Sequence, residues 1–288
     1  MTALTLSGLY VYPIKSAAGI AVSEASMTAR GLQYDRRWMV VDAQGKFMTQ
    51  RRFPRMALIG VEMGEQLKIT APGMSDLSVP LTAVSGERVN VEVWGDGCEA
   101  IALCPKSKQW FTQFIGVDCQ LVYMPDSSHR PTDHGRFGDD SLVSFADAYP
   151  YLLISEASLA GLNHKLAENQ KLPVPVSRFR PNLVIKGDIE PHAEDSWQQI
   201  QVGSAVFDLP KLCARCSIPN VDTQTGDYPK DRHGHRTSEP SQTLATYRAW
   251  DRGIWFGQNC VQYGTSSSTL RIGDPVNVLQ DAPKSAVT

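Results

Sequence analysis

The sequence lacks any apolar run that approaches the roughly 18 residues of a membrane-spanning helix. Its N-terminus has neither a basic start nor an uninterrupted apolar segment, so no signal peptide is predicted. An excess of one charge is also missing, because 28 Lys and Arg residues and 30 Asp and Glu residues leave a net charge of -2. We therefore expect a cytoplasmic protein that has no general attraction to nucleic acid or to membranes and keeps its six cysteines reduced.

Two familiar electron-carrier motifs are absent as well. No GxGxxG segment follows a predicted strand, so the sequence does not indicate direct use of a nicotinamide. The spacing of Cys98, Cys104 and Cys119 does not match the plant-type iron-sulfur pattern. What is present is ordinary globular composition, with 42% hydrophobic residues in a chain of 288, which is long enough for two domains with separate cores.

Short apolar runs separated by turn signals dominate the first hundred residues and predict a small β-sandwich or barrel. These runs cover residues 4–12, 38–41, 57–63, 67–70 and 89–93. A helix is predicted over 107–115, because its aromatic residues fall on one face. Trp94, Trp110 and Trp197 are all expected in the hydrophobic core.

A polar stretch rich in Gly and Pro, residues 125–141, predicts a domain border. Beyond it we predict a helix that is capped by Ser155. Strands are predicted at 151–154, 182–185, 200–202, 205–209 and 270–279. Together these elements predict a β-rich α+β fold with two domains, 1–122 and 123–283.

The most informative motif is Cys213-Ala214-Arg215-Cys216. A zinc site would need two further ligands, and the other cysteines form no second CxxC, so His233 and His235 are the only nearby pair. A redox dithiol favours a helix N-terminus, whereas turn-forming residues follow here. The third interpretation is a single metal-binding thiolate, stabilised by the neighbouring arginine. All three interpretations of the cysteine motif remain open from the residues alone. The separate segment 232–236, which contains both histidines, is expected to be solvated or to face substrate.

Longer segments around this motif resemble the MOSC family of molybdenum-cofactor proteins. The likeness is carried by the run from Cys213 to Gly226 and by Arg178-Phe179-Arg180-Pro181-Asn182 before it. The segments Tyr12-Pro13-Ile14-Lys15-Ser16, Tyr34-Asp35-Arg36-Arg37-Trp38 and Thr49-Gln50-Arg51 resemble the β-barrel domain that precedes MOSC in such proteins. With 255–259 and 272–276, the likeness spans almost the whole chain. It implies an N-terminal β-barrel-like domain followed by a MOSC β-barrel domain with peripheral helices.

The resemblance also implies roles for individual residues. Cys216 would bind the molybdenum of a molybdopterin cofactor, and Cys213 would not be a ligand. The phosphate of the cofactor needs cations and hydrogen-bond donors, a task for which the planar fork of arginine is suited. The positions that match the cofactor-binding residues of the family are Lys15, Ser16, Arg36, Arg180, Asn182, Arg215 and Asn259.

The functional relatives implied by the resemblance are reductases of N-hydroxylated compounds, including the amidoxime-reducing component. We expect an oxidoreductase that detoxifies small N-hydroxylated substrates, such as hydroxylated bases, with Cys216 in the catalytic centre. Because no ferredoxin-like cysteine set follows segment 272–276, electrons would come from a separate flavin or iron-sulfur reductase. The alternatives are a molybdenum-cofactor carrier or sulfur-transfer protein, since MOSC domains also end cofactor sulfurases, and a zinc-stabilised binding protein.

Overall fold

The computed structural model describes residues 3–82, 85–138, 141–231, 233–264 and 268–282, and strands dominate it. The strands are β1 (Thr5–Val11), β2 (Ile20–Ala21), β3 (Glu24–Thr28), β4 (Gly31–Leu32), β5 (Trp38–Asp42), β6 (Gly60–Met63), β7 (Gln66–Thr70), β8 (Leu77–Pro80), β9 (Arg88–Val93), β10 (Asp96–Ala102), β11 (Cys119–Tyr123), β12 (Tyr151–Ser155), β13 (Leu183–Lys186), β14 (Trp197–Val202), β15 (Ala205–Ala214), β16 (Ala249–Trp250), β17 (Gly253–Gln262), β18 (Thr269–Arg271) and β19 (Val276–Asp281). The α-helices are α1 (Pro105–Ile115), α2 (Glu156–Glu168) and α3 (Ser241–Ala245). The predicted β-rich α+β fold is confirmed.

The largest sheet has the strand order β19-β14-β15-β17-β12-β13-β1-β2, with β16 paired to β17. Strands β12 and β13 run parallel, so the chain needs a crossover between them, and α2 supplies it. As predicted, Ser155 caps α2, because its Oγ accepts a hydrogen bond of 3.0 Å from the Ser158 N–H. This sheet supplies the scaffold of the cleft described below.

The smaller sheets have the orders β5-β11-β10-β9, β6-β7-β8 and β18-β3-β4. The helix expected over 107–115 is α1, which begins at Pro105 and ends at Ile115. Gly116 caps its C-terminus with a φ of 86°, which suits glycine. Its aromatic face is buried, with Trp110 at 6% exposure and Phe111 at 0%. These residues join a core with strands β5, β7, β8 and β11.

The N-terminal strands β1 and β3 pair with strands from the second half of the chain. Strand β1 pairs with β13 and therefore belongs to the large sheet, and β3 pairs with β18 from near the C-terminus. Residues before β5 thus contribute to the core of the second half of the chain. The boundary between 1–122 and 123–283 stays a prediction.

Two expectations from the sequence are wrong. Trp94 is not a core residue, because it lies at the tip of the β9–β10 hairpin and is 50% exposed, whereas Trp197 is buried as expected. The single strand expected over 270–279 is interrupted between Arg271 and Val276. A turn causes this break, in which Gly273 adopts a φ of 93° and Asp274 accepts the Arg271 N–H.

Candidate functional site

One cleft brings together every residue that the sequence predicts for the cofactor site. It holds about 820 Å³ of space free of protein atoms, its open mouth included. The predicted residues that line it are Lys15, Ser16, Arg36, Arg180, Asn182, Arg215, Cys216 and Asn259. They come from the loops after β1 and β4, the segment before β13, the end of β15 and strand β17.

Three of these residues have left-handed backbones. The φ angles are 65° for Ser16, 50° for Arg36 and 59° for Arg180, values that are uncommon for residues with a side chain. Such conformations cost free energy and concentrate where binding sites require a fixed geometry. The backbone is therefore strained at this cleft, at the positions that the sequence pattern selects.

One wall of the cleft, which we call the arginine wall, consists of Arg36, Arg180 and Asn182, and both arginines contact the buried ring of Tyr12. The guanidinium carbons of Arg36 and Arg180 lie 4.6 Å and 4.3 Å from the centroid of the Tyr12 ring. Burial lowers the pKa of Arg180 to about 10, and the positive charge of Arg36 acts in the same direction. Two partly desolvated cations this close repel each other, so an anionic ligand would stabilise the wall.

Asn182 orders the arginine wall from behind. Its side chain is fully buried, and its Oδ1 accepts hydrogen bonds from Arg36 Nη1 at 2.9 Å and from the Leu152 N–H at 3.3 Å. Its Nδ2 donates to the Tyr10 carbonyl at 3.1 Å. Asn182 thus connects strands β1 and β12 to the guanidinium of Arg36. Both atoms of its amide group are hydrogen-bonded within the protein.

Lys15 and Ser16 reach the cleft from the loop after β1. The ammonium of Lys15, which is 6% exposed, donates to Asp147 Oδ1 at 2.5 Å and to the Phe145 carbonyl at 2.7 Å. Burial lowers the pKa of Lys15, although the ion pair with Asp147 opposes this shift. The buried Ser16 is fixed through its carbonyl, which accepts from Gln50 Nε2 at 2.9 Å.

The opposite wall, which we call the thiol wall, is residues 213–216 at the end of β15. Arg215 Nη1 donates to the sulfur of Cys213 at 3.2 Å and not to Cys216, so the cation that the sequence pattern pairs with Cys216 lies against the other cysteine. Arg215 Nη2 donates to the Phe179 carbonyl at 2.8 Å. Among the described residues, the sulfur of Cys216 receives no hydrogen bond, and it lines the cleft in a half-buried position.

Arg178 holds the loop that follows Cys216. Its side chain is 4% exposed and donates through Nε to the Pro219 carbonyl at 2.6 Å. Its Nη1 approaches Asp222 Oδ2 at 3.5 Å, and burial lowers its pKa. The loop position of Cys216 thus depends on a buried arginine from the segment before β13.

The charges in the cleft favour an anionic ligand. Its lining contains five cationic side chains, those of Lys15, Arg36, Arg51, Arg180 and Arg215, and one carboxylate, that of Asp147. In addition, Arg215 Nε is buried without a hydrogen-bond partner within the described part of the chain. An arginine fork with a free donor can hold phosphate or ring oxygens in a fixed geometry.

Sequence reasoning missed several residues of the cleft. Arg51, Thr49 and Tyr149 line it together with Asp147, and none of them was predicted as a site residue. The resemblance of Thr49-Gln50-Arg51 to the N-terminal barrel domain was a usable signal for two of them. Asp147 had no such signal, because it lies in an irregular segment between the small sheets and β12.

The alternative zinc site finds no ligand set in the structure. Over the described ranges, no group of three or more His, Cys, Asp and Glu side chains is placed to hold a metal ion. His233 and His235 lie in an exposed loop with ring centroids 6.3 Å apart and are not in the cleft lining, and Arg232 lies outside the described residues. Nor does the described chain contain a helix of the length and apolarity that crossing a bilayer requires.

Two family models match the chain. Residues 3–118 match the MOSC N-terminal beta barrel domain, and residues 140–277 match the MOSC domain. Human mitochondrial amidoxime-reducing component 1 is 34% identical over 301 residues, which cover 96% of this chain and 83% of that protein.

Other matches differ in how much of each protein they cover. The molybdenum cofactor sulfurase of Oryza sativa subsp. japonica is 34% identical over 270 residues, which cover 88% of this chain and 32% of the sulfurase. The crystal structure of the YUAD protein from Bacillus subtilis aligns with 96% of this chain and 94% of that chain at 11% identity and a TM-score of 0.43, which is too weak a likeness to support a conclusion.

Proposed function

This chain belongs to the family of proteins in which a MOSC N-terminal β-barrel domain precedes a MOSC domain, and from that membership we propose that it is a molybdenum-cofactor-dependent reductase of N-hydroxylated compounds. The observation that carries the proposal is the convergence of cations from both halves of the chain on a cleft that also contains Cys216. The name of the human relative, an amidoxime-reducing component, supports the same reaction class.

The residues of the cleft fit the cofactor. Cys216 would ligate the metal, since a soft thiolate suits such a metal and no protein donor competes for its sulfur within the described residues. Arg36, Arg180 and Arg215 would hold the phosphate and the pterin oxygens, together with Lys15, Ser16 and Asn259. Asn182 would act through Arg36, because its own amide is occupied.

When bound, the cofactor would supply the two-electron chemistry that removes the oxygen from an N-hydroxyl group. The contribution of the chain is positional. The arginine wall neutralises the anionic cofactor with donors that are oriented before binding, so little reorganisation is needed. Arg215 contacts Cys213, so the assignment of Cys216 as the ligand rests on its match to the family position and on its sulfur, which receives no hydrogen bond within the described residues.

A separate electron-donor protein, either a flavin or an iron-sulfur reductase, would complete the reaction. The absence of a nicotinamide-binding motif in the sequence supports this part of the proposal. Contacts of this kind are small and transient, so turnover with the partner should depend on salt if charge guides docking.

Metal analysis and a reductase assay together test the proposal. We expect the purified protein to contain molybdenum, and to reduce an N-hydroxylated purine with chemically reduced viologen or an added reductase but not with NADH or NADPH alone. Zinc in place of molybdenum would refute the proposal. Turnover with NADH alone would refute the need for a partner.

The likeness to a molybdenum cofactor sulfurase supports a second candidate, a cofactor carrier or sulfur-transfer protein. Such a protein would bind the same cofactor in the same cleft and release it to another enzyme. A holoprotein with full molybdenum content that reduces no substrate with any donor, and that transfers its cofactor to an apoenzyme, would favour this candidate.

A further inference from the structure

Trp94 is a residue that the proposed function leaves unexplained. Trp94 and Gly95 form the two-residue turn of the β9–β10 hairpin, in which Val93 pairs with Asp96. Their φ angles are 55° and 91°, and a turn of this type favours Asn-Gly or Asp-Gly. A bulky residue at the first position is strained, and burial does not compensate, because the side chain is 50% exposed.

The contacts of Trp94 place its indole at the rim of the cleft. The guanidinium carbon of Arg51 lies 4.5 Å from the centroid of the indole, and the Phe47 ring lies 5.3 Å away on a tilted plane. Burial would raise the pKa of the Asp147 carboxyl, but Lys15 and, less strongly, the nearby Trp94 lower it. Arg51 and Asp147 both line the cleft, so Trp94 lies beside two of its lining residues.

Asp147 is held rigidly and yet remains accessible. Its Oδ1 accepts from Lys15, and its carbonyl accepts from Arg130 Nη2 at 2.6 Å. Arg130 is 2% exposed, also donates to the Ala146 carbonyl at 2.6 Å, and pairs with Asp96 at 3.0 Å. Despite these restraints the side chain of Asp147 is 63% exposed.

Asp147 has acceptor capacity left for a ligand. A carboxylate offers about four acceptor positions, and the ammonium of Lys15 fills one of them. Within the described cleft lining, Asp147 is the one carboxylate among five cations. A carboxylate that only neutralised Lys15 would need neither a second buried cation, Arg130, on its backbone carbonyl nor exposure at the rim of the cleft.

We propose that Asp147 and Trp94 form a substrate-recognition rim, which selects planar aromatic compounds that carry an N–H donor beside the N–O group. Asp147 accepts a hydrogen bond from that N–H, and the ring of the substrate stacks on the exposed face of Trp94. Aryl amidoximes and hydroxylated heterocyclic bases have both features, whereas tertiary amine N-oxides lack the N–H donor. The proposal rests on the reductase function proposed above and assigns the specificity of the same site.

Steady-state kinetics of the holoenzyme with reduced viologen tests the role of Asp147. Asp147→Asn keeps an oxygen for Lys15 but removes the charge that strengthens the hydrogen bond to substrate. We expect KM for benzamidoxime to rise about tenfold, and KM for N,N-dimethylaniline N-oxide, which has no N–H, to change less than about twofold. The matched control is Asp126→Asn, because Asp126 is also an exposed partner of a buried cation, Arg37, and should alter neither value.

A comparison of substrates with and without an aromatic ring tests the role of Trp94. Trp94→Leu should raise KM about tenfold for benzamidoxime and leave KM for acetamidoxime, which has no ring, unchanged. Trp94→Phe should restore most of the loss. Calorimetric titration of benzamidoxime into the unreduced holoenzyme should give the same order of affinities without any turnover.

The outcomes separate this inference from the proposed function. If Asp147→Asn affects both substrates equally and lowers the molybdenum content, Asp147 serves only Lys15 and the inference is overturned. If KM for benzamidoxime is unchanged in Trp94→Leu, the stacking role is overturned. Benzamidoxime binding that depends on both residues in a holoenzyme without turnover would instead overturn the reductase function and leave the rim intact.

Discussion

The two walls of the cleft differ in how completely their polar groups are partnered. In the arginine wall, Arg36 donates to Asn182 and to the Arg180 carbonyl, and Asn182 uses both atoms of its amide. In the thiol wall, Arg215 retains an unpartnered Nε, and among the described residues the Cys216 sulfur accepts no hydrogen bond. One wall is rigid before any ligand binds, and the other keeps free donors and a free thiol.

A binding site divided in this way can be both ordered and reactive. A wall that only holds an anion benefits from fixed donors, because each donor that is already oriented costs less entropy on binding. A wall that forms a metal bond needs its sulfur free. The predictions below test whether the walls divide anchoring from reactivity in this way.

The largest effect is expected within the thiol wall. Cys216→Ala should lower viologen-driven reduction of benzamidoxime by more than about 100-fold, since even loss of a residue that supports a metal ligand costs 10- to 100-fold. Much of the pterin should remain bound, because the cations proposed to anchor it do not depend on this sulfur. Cys213→Ala is the matched control and should cost far less. Equal losses from both substitutions, with release of zinc, would contradict the division between the two cysteines.

The next largest effect concerns the arginine wall. Arg180→Ala should empty the site of cofactor, because loss of a charged contact in a buried anion site costs about 2 to 5 kcal/mol. Lys15→Ala should also lower the molybdenum and pterin content. Arg37→Ala is the control, since Arg37 also stacks on a tyrosine, at 5.1 Å from the Tyr123 ring, but does not line the cleft. Full occupancy in Arg180→Ala protein would break the comparison between the walls.

A smaller effect is expected from the residue that orders the arginine wall. Asn182→Ala leaves Arg36 Nη1 and the Leu152 N–H without their acceptor, so the free energy of unfolding should fall by about 2 kcal/mol in urea denaturation. Cofactor content should fall as well. Asn163→Ala removes a similar pair of hydrogen bonds to Val174 outside the cleft, and should destabilise the fold without loss of cofactor. If both variants retain the cofactor equally, Asn182 has no part in anchoring.

The smallest effect is expected from the support of the thiol wall. Arg178→Gln removes the charged contacts to Pro219 and Asp222 and should loosen the loop after Cys216. We expect about a tenfold loss of rate with nearly full cofactor content, as for residues that orient metal ligands. The measurement is kcat per bound molybdenum. A loss of cofactor as large as in Arg180→Ala would mean that the walls do not act separately.

Local patterns in the sequence were sufficient for much of the fold. The aromatic face of α1 and the Ser155 cap of α2 are confirmed, because both depend on contacts within a few residues. Trp94 was wrongly placed in the core, since composition alone does not say whether a tryptophan sits on a strand or in its turn. The break at residues 272–275 was missed although Gly273, Asp274 and Pro275 are turn-forming residues, because apolar residues on both sides were assigned to one strand.

The amino-acid sequence was sufficient for the β-rich fold class, because hydrophobic periodicity is recorded along the chain. Through its resemblance to a known family, it was also sufficient for eight of the residues that line the cleft. Tertiary structure alone decided how those residues are used: that Arg215 contacts Cys213, that Asn182 is occupied by Arg36, and that Asp147 joins the site. The physical reason is distance along the chain. Lys15 and Asp147 are 132 residues apart, and Arg36 and Asn182 are 146 apart. A hydrogen bond between such residues depends on how sheets and loops pack together, which a local pattern does not encode.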